Sequence, residues 1–374
     1  MAGLYIHIPY CKSMCVYCDF HSCVALSSLE PMIEALKKEM TLRRDYIKGQ
    51  DVDTIYIGGG TPSLCTAKQI EGLVNHASSL WNTKNCVEIT MEANPDDLSV
   101  EYLRELRSVG INRLSIGIQS FDDKVLKFLR RRHGAKAAMD SVAMARQAGF
   151  DNISIDLIYG IPDMSIAQWQ HSLDVAVGLG VEHISAYHLT VEEGTPLDTL
   201  VEQGKVNLVS EQDSQDQFEM LRSQLERAGI EQYEISNYAR LGRESKHNSS
   251  YWHGIHYIGI GPGAHSYDGA SRRWNLPDNQ LYMDCLAQEL SYQTEELTPT
   301  MQYDEYIMTA LRTTRGIDYQ DMENKLGAHK LQLLKKSAKP LLDDGLLEST
   351  ERGCAVSRSK LMICDMIIAE LFEV

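Results

Sequence analysis

Hydrophobic positions in the first half of the chain fall into two alternating patterns. Short β-rich runs, LYIHI (4–8), TIYIGGG (54–60), EITMEA (88–93), RLSIGI (113–118), NISIDLIYG (152–160) and HISAYHLTV (183–191), are separated by helical stretches at 29–48, 66–80, 100–109, 122–148 and 165–179. Such alternation predicts repeated βα units on a parallel sheet. The segments VGINRLSIGI, AGFDNISIDL, LGVEHISAYH and AGIEQYEIS repeat one local chemistry: a helix ending in Gly, an apolar residue, then a strand. Gly110, Gly149, Gly180 and Gly229 suit the left-handed residue just past a helix, where the next apolar side chain packs back on the last turn.

Six units precede residue 190, too few for an eight-unit closed barrel unless later segments add more. A partial (β/α)6 barrel and a doubly wound sheet both fit, and both place ligands at the carboxyl ends of the strands. Polar and special residues gather there: cysteines after the first strand, GGGTP after the second, Glu92 after the third, Gln119 after the fourth and Asp156 late in the fifth. Near Pro299 the pattern changes. Residues 301–374 read as a helix, a second helix containing KLQLLKKSAKPLLDDG, a hairpin LLESTERGCAVSRS and a final helix KLMICDMIIAELF, a mostly helical, winged-helix-like unit. Two domains are expected, 1–300 and 301–374. Lys330, Lys335, Lys336 and Lys339 lie close to Asp343, Asp344, Glu348 and Glu351, so they read as a solvated face and the unit as a packing element.

With 374 residues, 43% of them hydrophobic and 24% charged, the chain can bury a large core. A formal net charge of −16 weighs against nucleic acid and anionic lipid as partners. The first residues lack a secretory pattern and no run approaches the roughly 18 apolar residues of a membrane span, so a cytoplasmic protein without an integral membrane segment is expected. Nine cysteines in such a compartment read as metal ligands or buried hydrophobes rather than a disulfide framework.

Cys11, Cys15 and Cys18 stand in Cys-x3-Cys-x2-Cys spacing. A structural zinc site needs a fourth ligand, for which His21 or Cys23 is near, and a redox role is a further alternative. An iron–sulfur cube held by three cysteines leaves one iron without a protein ligand, which suits an iron that must bind a substrate. Read alone, GGGTP (58–62) is either a tight βα turn or a place where backbone approaches a ligand. Glu92, Gln119, Arg131 and Asp156 are either surface or capping groups, or ligand contacts.

The cysteine spacing, with Tyr17 just before the last cysteine, resembles the radical S-adenosylmethionine (SAM) superfamily. The resemblance implies a 4Fe-4S cluster on Cys11, Cys15 and Cys18, with SAM on the open iron and gripped by Tyr5, Gly59, Gly60, Thr61, Glu92, Gln119, Arg131 and Asp156. In that superfamily one electron from the cluster cleaves a carbon–sulfur bond of SAM to give a deoxyadenosyl radical. A guanidinium suits the methionine carboxylate, and carboxylates and amides suit ribose hydroxyls or the ammonium.

LYIHIPYC, YIGGGTPS, ITMEANPD, LSIGIQSFDD, DLIYGIP and HNSSYW together resemble the coproporphyrinogen III dehydrogenase-like subfamily, which has an oxidative decarboxylase branch and a heme-chaperone branch. Phe20 stands where the dehydrogenase has a further cysteine, only ten residues precede Cys11, and His247, Asn248, Tyr251 and Trp252 complete the chaperone's His-Asn-x-x-Tyr-Trp motif. This implies heme bound near residues 247–252 and delivered to respiratory heme proteins, a cluster that supports dimerisation and heme transfer, and work at or near the inner face of the membrane. The alternative is coproporphyrinogen decarboxylation in porphyrin biosynthesis. His247 suits an axial ligand and the two aromatic rings suit a porphyrin face, though the residues alone equally describe a buried aromatic pair around a hydrogen-bonded histidine. His253, His256 and His265 follow closely, His265 being expected to face the SAM pocket. Cys23, Cys65, Cys86, Cys285, Cys354 and Cys364 lack ligand spacing and read as small buried hydrophobes.

Overall fold

The computed structural model describes residues 1–285 and 292–373. The expected alternation is present: β1 (Ala2–Ile8), α1 (Leu29–Leu42), β2 (Val52–Gly59), α2 (Ala67–Leu80), β3 (Glu88–Ala93), α3 (Val100–Ser108), β4 (Arg113–Gln119), α4 (Asp123–Phe128), α5 (Ala135–Gln147), β5 (Ile153–Tyr159), α6 (Ile166–Gly178) and β6 (His183–His188). There follow α7 (Pro196–Glu202), α8 (Glu211–Arg227), β7 (Glu231–Gln232), β8 (Asn237–Ala239), α9 (Lys246–Trp252), β9 (His256–Ile260), β10 (His265–Tyr267), β11 (Ser271–Asn275), α10 (Asn279–Cys285) and β12 (Tyr292–Glu296). Strands β1 to β6 pair in chain order and in parallel. The later region does add to the sheet, at its other edge: β9 pairs in parallel with β1, then β10, β11 and β12 continue antiparallel. Among the described residues the twelve-stranded sheet stays open, ending in β12 and in the β8–β7 pair beyond β6.

Side chains alternate across this sheet. Leu4, Ile6, Ile8, Ile55, Ile57, Leu114, Ile116, Ile153 and Ile155 are buried in the apolar layer between sheet and helices. The opposite face carries Tyr5, His7, Tyr56, Thr90, Glu92, Ser115, Asp156 and Ser185, aligned strand to strand by the pairing register. Gly110, Gly149, Gly180 and Gly229 have φ of 101, 92, 65 and 69°. The N–H groups of Ile111, Phe150 and Ile230 reach back over 2.9–3.1 Å to Leu106, Ala145 and Leu225 carbonyls, closing the expected helix ends.

Three expectations change. The helix expected over 122–148 is two helices, because Arg130 takes a left-handed φ of 57° and the Arg131 N–H closes back on the Leu126 carbonyl at 2.9 Å. Asp123 then caps the second helix through the Ala135 N–H at 2.8 Å. AGIEQYEIS yields the two-residue β7 and an antiparallel turn into β8, not another βα unit. The final helix begins as a 3-10 turn, Arg358–Ile363, and becomes α14 (Cys364–Ala369).

Before it, α11 (Pro299–Leu311), β13 (Ile317–Asp318), α12 (Tyr319–Leu326), α13 (Ala328–Asp343), β14 (Leu347–Ser349) and β15 (Gly353–Val356) form the expected winged-helix-like arrangement, with a three-stranded sheet ordered β13-β15-β14. Lys330 is not on a solvated face: it pairs with Glu373 and lies 5.3 Å from the Tyr303 ring centre. Cys65, Cys354 and Cys364 are buried, while Cys23, Cys86 and Cys285 are only partly so.

The β9–β11 edge is fastened by a buried polar cluster with no sequence signature. Glu39 on α1 is fully buried and accepts from Arg43 (2.9 Å), the Gly261 N–H (2.8 Å), Asn275 (2.7 Å) and Tyr282 (2.6 Å). Arg43 also donates to the Gly259 carbonyl at 2.7 Å and to Ser266 at 2.8 Å. Replacing Arg43 by Ala would strand a buried carboxylate, so Arg43→Ala should lose about 3–5 kcal/mol of stability in urea unfolding. A loss under about 1 kcal/mol would show that water already screens the cluster.

Candidate functional site

The cysteine loop leaves β1 at Pro9 and is pinned at its base, the Cys11 N–H donating to the Cys23 carbonyl at 2.9 Å and the Cys23 N–H to the Pro9 carbonyl at 3.0 Å. Cys11, Cys15 and Cys18 are each half-buried and line one cavity of about 740 Å³. Thr61 donates to Cys11 Sγ at 3.3 Å and Arg131 Nη1 to Cys15 Sγ at 3.2 Å. Burial, with Cys15 and Cys11 adding to it, pushes the Cys18 thiol up to about 11. Three sulfurs crowded into one cavity suit a cationic centre, whose binding would displace their protons.

The side chains proposed to complete a zinc site are engaged elsewhere. Asn279 holds both, binding His21 Nε2 at 2.8 Å and donating to Cys23 Sγ at 3.2 Å. Among the described residues no three His, Cys, Asp or Glu side chains lie within reach of a single metal ion. A four-iron cluster is wider than one ion and needs no such convergence.

The glycine turn forms the next wall. A Cβ on Gly60 would lie 2.6 Å from the Tyr10 carbonyl oxygen and 3.0 Å from Cys11 Sγ, so only glycine lets this backbone lie against the cluster loop. The Gly59 N–H donates to Glu92 Oε2 at 3.1 Å, and Tyr56 donates to Oε1 at 2.8 Å. Burial nevertheless raises the Glu92 carboxyl to about 7. Gln119 sits at the register break of β4 with a left-handed φ of 72°, a strain that turns its side chain into the cavity. Ser115 donates to Asp156 Oδ1 at 3.2 Å, and burial raises that carboxyl as well.

Gly59, Gly60, Thr61, Glu92, Gln119, Arg131 and Asp156 therefore share the cavity of the three cysteines. Tyr5 does not line it. Its hydroxyl donates to His7 Nδ1 at 2.9 Å and its ring stacks 6.1 Å from Tyr56, behind Glu92. His7 Nε2 in turn donates to the His21 carbonyl at 2.8 Å, which fixes the tautomer and ties β1 to the far arm of the cluster loop. Arg131 spends Nη2 on Asn94 (2.5 Å) and the Gly117 carbonyl (2.6 Å), and its Nε is buried without a partner. Its guanidinium thus orients the Cys15 sulfur first. Tyr56, Asn94 and Ser115 were missed by the sequence reading; Tyr56 and Ser115 lie inside β2 and β4 and Asn94 just past β3, and no motif marks them.

The His-Asn-x-x-Tyr-Trp motif is divided by α9. His247 is 1% exposed, and both ring nitrogens are engaged, Nδ1 with Thr54 at 2.9 Å and Nε2 with Tyr251 at 2.8 Å. Burial lowers its pKa to about 3, so the ring is neutral. The buried, hydrogen-bonded arrangement is the one observed, and His247 lines neither cavity. Asn248 serves the first turn, its N–H donating to the Ser245 cap at 3.2 Å. Tyr251 and Trp252 emerge into a second cavity of about 1010 Å³, between the β9–β11 extension and the α11–α12 region. His265 lines this second cavity and not that of the cysteines, contrary to expectation. Phe20 borders both.

The C-terminal unit closes both cavities, Tyr306 and Met308 facing the second and Leu361, Met362, Cys364 and Asp365 the first, so its role exceeds packing. Arg312 joins the two, bonding to Asp365 and lying 5.9 Å from the Trp252 ring centre.

A parallel βα sheet with three loop cysteines and a glycine turn opening on one cavity defines a radical SAM protein. The Radical SAM superfamily model matches residues 5–176 and the HemN C-terminal domain model residues 297–359. The chain is 37% identical over 355 residues to heme chaperone HemW of Bacillus subtilis, covering 94% of each, and 32% identical over 375 residues to HemW of Mycobacterium tuberculosis, covering 99% of this chain and 94% of that one. It is also 31% identical over 388 residues to the mitochondrial radical S-adenosyl methionine domain-containing protein 1 of Bos taurus, covering 100% and 87%. The chain belongs to the HemW family. Coproporphyrinogen III oxidase (HemN) from Escherichia coli shares the fold, with a TM-score of 0.84 at 23% identity over 99% of this chain and 90% of that one.

Two outcomes follow from this geometry. Gly60→Ala should expel the cluster loop, so anaerobic reconstitution should recover little of the wild type's iron and brown absorbance from a protein with unchanged far-ultraviolet dichroism; full iron loading would show that the close approach is dispensable. Glu92 keeps a proton in the folded protein up to about pH 7 that the unfolded chain releases near pH 4.5. Its contribution to stability is therefore present below that lower value and lost as pH rises through 7. In the ligand-free protein, Glu92→Gln should flatten the fall of melting temperature between pH 5 and 7.5, and an unchanged slope would place the burial penalty elsewhere.

Proposed function

We propose that this chain is a heme chaperone. It holds a 4Fe-4S cluster on Cys11, Cys15 and Cys18, SAM against the glycine turn and Glu92, Gln119, Arg131 and Asp156, with Tyr5 behind them, and heme at the Tyr251–Trp252 wall, and it hands heme to respiratory heme proteins. The observation that carries the reading is the meeting of three half-buried cysteines with the glycine turn, Glu92, Gln119, Arg131 and Asp156 in one cavity. The names of the HemW relatives support the chaperone role, and Phe20 in place of a further cysteine separates the chain from the dehydrogenase branch.

When bound, the cluster supplies an electron and an open iron for SAM. The chain's own residues do the positioning. Thr61 and Arg131 hold two of the sulfurs, and Asn279 keeps His21 and Cys23 from becoming a fourth ligand. The glycine turn presents bare backbone, while Glu92 and Asp156 offer carboxylate oxygens to hydroxyl or ammonium donors. Homodimer formation and heme transfer from the cytoplasm at the inner face of the membrane belong to the same reading. Among the described residues no helix is long and apolar enough to cross a membrane.

Anaerobic reconstitution should give a brown protein with about four irons per chain. It should take up heme in titration and lose it to a heme-free respiratory acceptor. Stoichiometric conversion of coproporphyrinogen III to protoporphyrinogen, with SAM and a reductant present, would overturn the chaperone reading in favour of decarboxylation.

A further inference from the structure

A chain of buried side chains leads from α9 to the first cavity. Three strands are shaped around the ring of His247 at its start. Gly3 on β1 leaves room for it, since a Cβ there would lie 3.1 Å from His247 Cε1. Thr54 on β2 bonds Nδ1 at 2.9 Å. Glu88 on β3 accepts from the N–H groups of Lys246 (2.9 Å) and His247 (3.0 Å), which fixes the first turn of α9. With Tyr251 on Nε2 at 2.8 Å, the imidazole is tied at both nitrogens and at its own backbone.

Its flat face meets Tyr56. The two rings stack at 5.2 Å and 28°, nearer than Tyr5, which stacks on Tyr56 at 6.1 Å and 29°. The Tyr56 hydroxyl donates to Glu92 Oε1 at 2.8 Å while the Gly59 N–H takes Oε2 at 3.1 Å, so β2 assigns both carboxylate oxygens. The approach is close enough to constrain the sequence. A Cβ on Gly58 would lie 2.8 Å from Tyr56 Cε1 and 3.0 Å from Glu92 Oε1. The first glycine of GGGTP therefore makes way for this pair, whereas Gly60 makes way for the cluster loop. Glu92 lines the cavity of the three cysteines, and Tyr56 and His247 stay behind it.

A hydrogen bond to a carboxylate is strong and directional, so a fixed phenol ring fixes the carboxylate it serves. A site residue braced in this way meets its ligand already oriented.

We propose that His247 and Tyr56 are positioning residues of the first cavity: the imidazole sets the Tyr56 ring, whose hydroxyl holds Glu92 towards the hydroxyl or ammonium donors of SAM. The inference rests on the reading that this cavity takes SAM. The helix that carries Tyr251 and Trp252 at the second cavity then also serves the first.

The test is SAM binding to the anaerobically reconstituted full chain by equilibrium dialysis, with iron content and melting temperature measured for each variant. Tyr56→Phe keeps the ring and removes only the hydroxyl. It should raise the SAM dissociation constant on the order of tenfold at unchanged iron content. His247→Gln, whose amide can still bond to Thr54 and Tyr251, should raise it several-fold by freeing the Tyr56 ring. The double variant should bind SAM no more weakly than Tyr56→Phe alone, because His247 acts through a hydroxyl that is already gone.

A pH profile separates this role from a structural one. Burial raises the Glu92 carboxyl to about 7, the Tyr56 bond opposes that rise, and Asp156 from β5, the Gly59 N–H from β2 and Arg113 from β4 also face it. Donors on SAM need the ionised carboxylate, so wild-type binding should weaken as pH falls through 7. In Tyr56→Phe the midpoint should move to higher pH, since a donor that favours the anion is lost. Wild-type affinity and midpoint in Tyr56→Phe, or losses that multiply in the double variant, would overturn the inference alone. A wild-type protein that loads iron and binds no SAM would overturn the SAM reading of the cavity and the inference with it.

Discussion

The structure depends on parallel pairing held in register across its central strands. Tyr5 meets Tyr56, His7 meets Gly58, Glu92 meets Ser115, Gly117 meets Asp156, and Asp156 meets Ser185. Because side chains alternate along a strand, a slip of one residue would turn this polar row into the helix layer and expose Ile6, Ile57, Met91 and Ile155 on the inner face. The apolar layer therefore enforces the polar one. The register breaks between Gly117 and Gln119, and there Gln119 takes its left-handed conformation at the cavity.

One sheet serves two cavities. Over β2 to β5 the inner face carries carboxylates, hydroxyls and glycine, and the cysteine loop folds over its end. Across β1 to β11 it carries tyrosines, Trp274 and His265. The second half exists because β9 could add to the free edge of β1, and the Glu39–Arg43 cluster holds it there against α1. Tyr5 stands at the junction. Its hydroxyl leads through His7 to the cluster loop while its ring leads through Tyr56 to Glu92, so the two halves share a hydrogen-bonded boundary. The C-terminal unit seals both from the same side, with Arg312 between Asp365 and Trp252.

The parts legible in the sequence were those whose causes are local. Period-two runs between helices marked the strands, glycine after each helix marked its end, and the cysteine spacing marked the cluster loop. Gly59, Gly60, Thr61, Glu92, Gln119 and Asp156 could be placed together because parallel βα topology brings strand ends to one edge, while Arg131, between α4 and α5, was reached only through the family resemblance. Contacts between distant segments were not legible. His247 bonds to Thr54, 193 positions away, and its N–H is capped by Glu88, 159 positions away. On the seven-residue α9, the sequence could not say which side chains face inward. The fastening of His21 and Cys23 by Asn279, more than 250 positions on, was equally hidden. Arg130 concealed the break of the helix at 122–148, since a left-handed arginine carries no warning of the kind that glycine gives.

The motif can be indispensable to a heme site without supplying the ligand. His247 is neutral, shut off from both cavities and bonded at each nitrogen, so its energy goes into fixing its neighbours. Its Nε2 contact fixes the Tyr251 hydroxyl, which sets that ring edge-on to Tyr257 and shapes the aromatic wall. Removing the imidazole would leave the Thr54 hydroxyl and the Tyr251 hydroxyl without their shared partner, at a cost of about 1–3 kcal/mol for each buried group left unsatisfied. A loss of heme binding on changing His247 would therefore show only that the wall had moved. Ligation requires an accessible nitrogen with an unshared lone pair, which His247, bonded at both nitrogens and shut off from both cavities, does not offer.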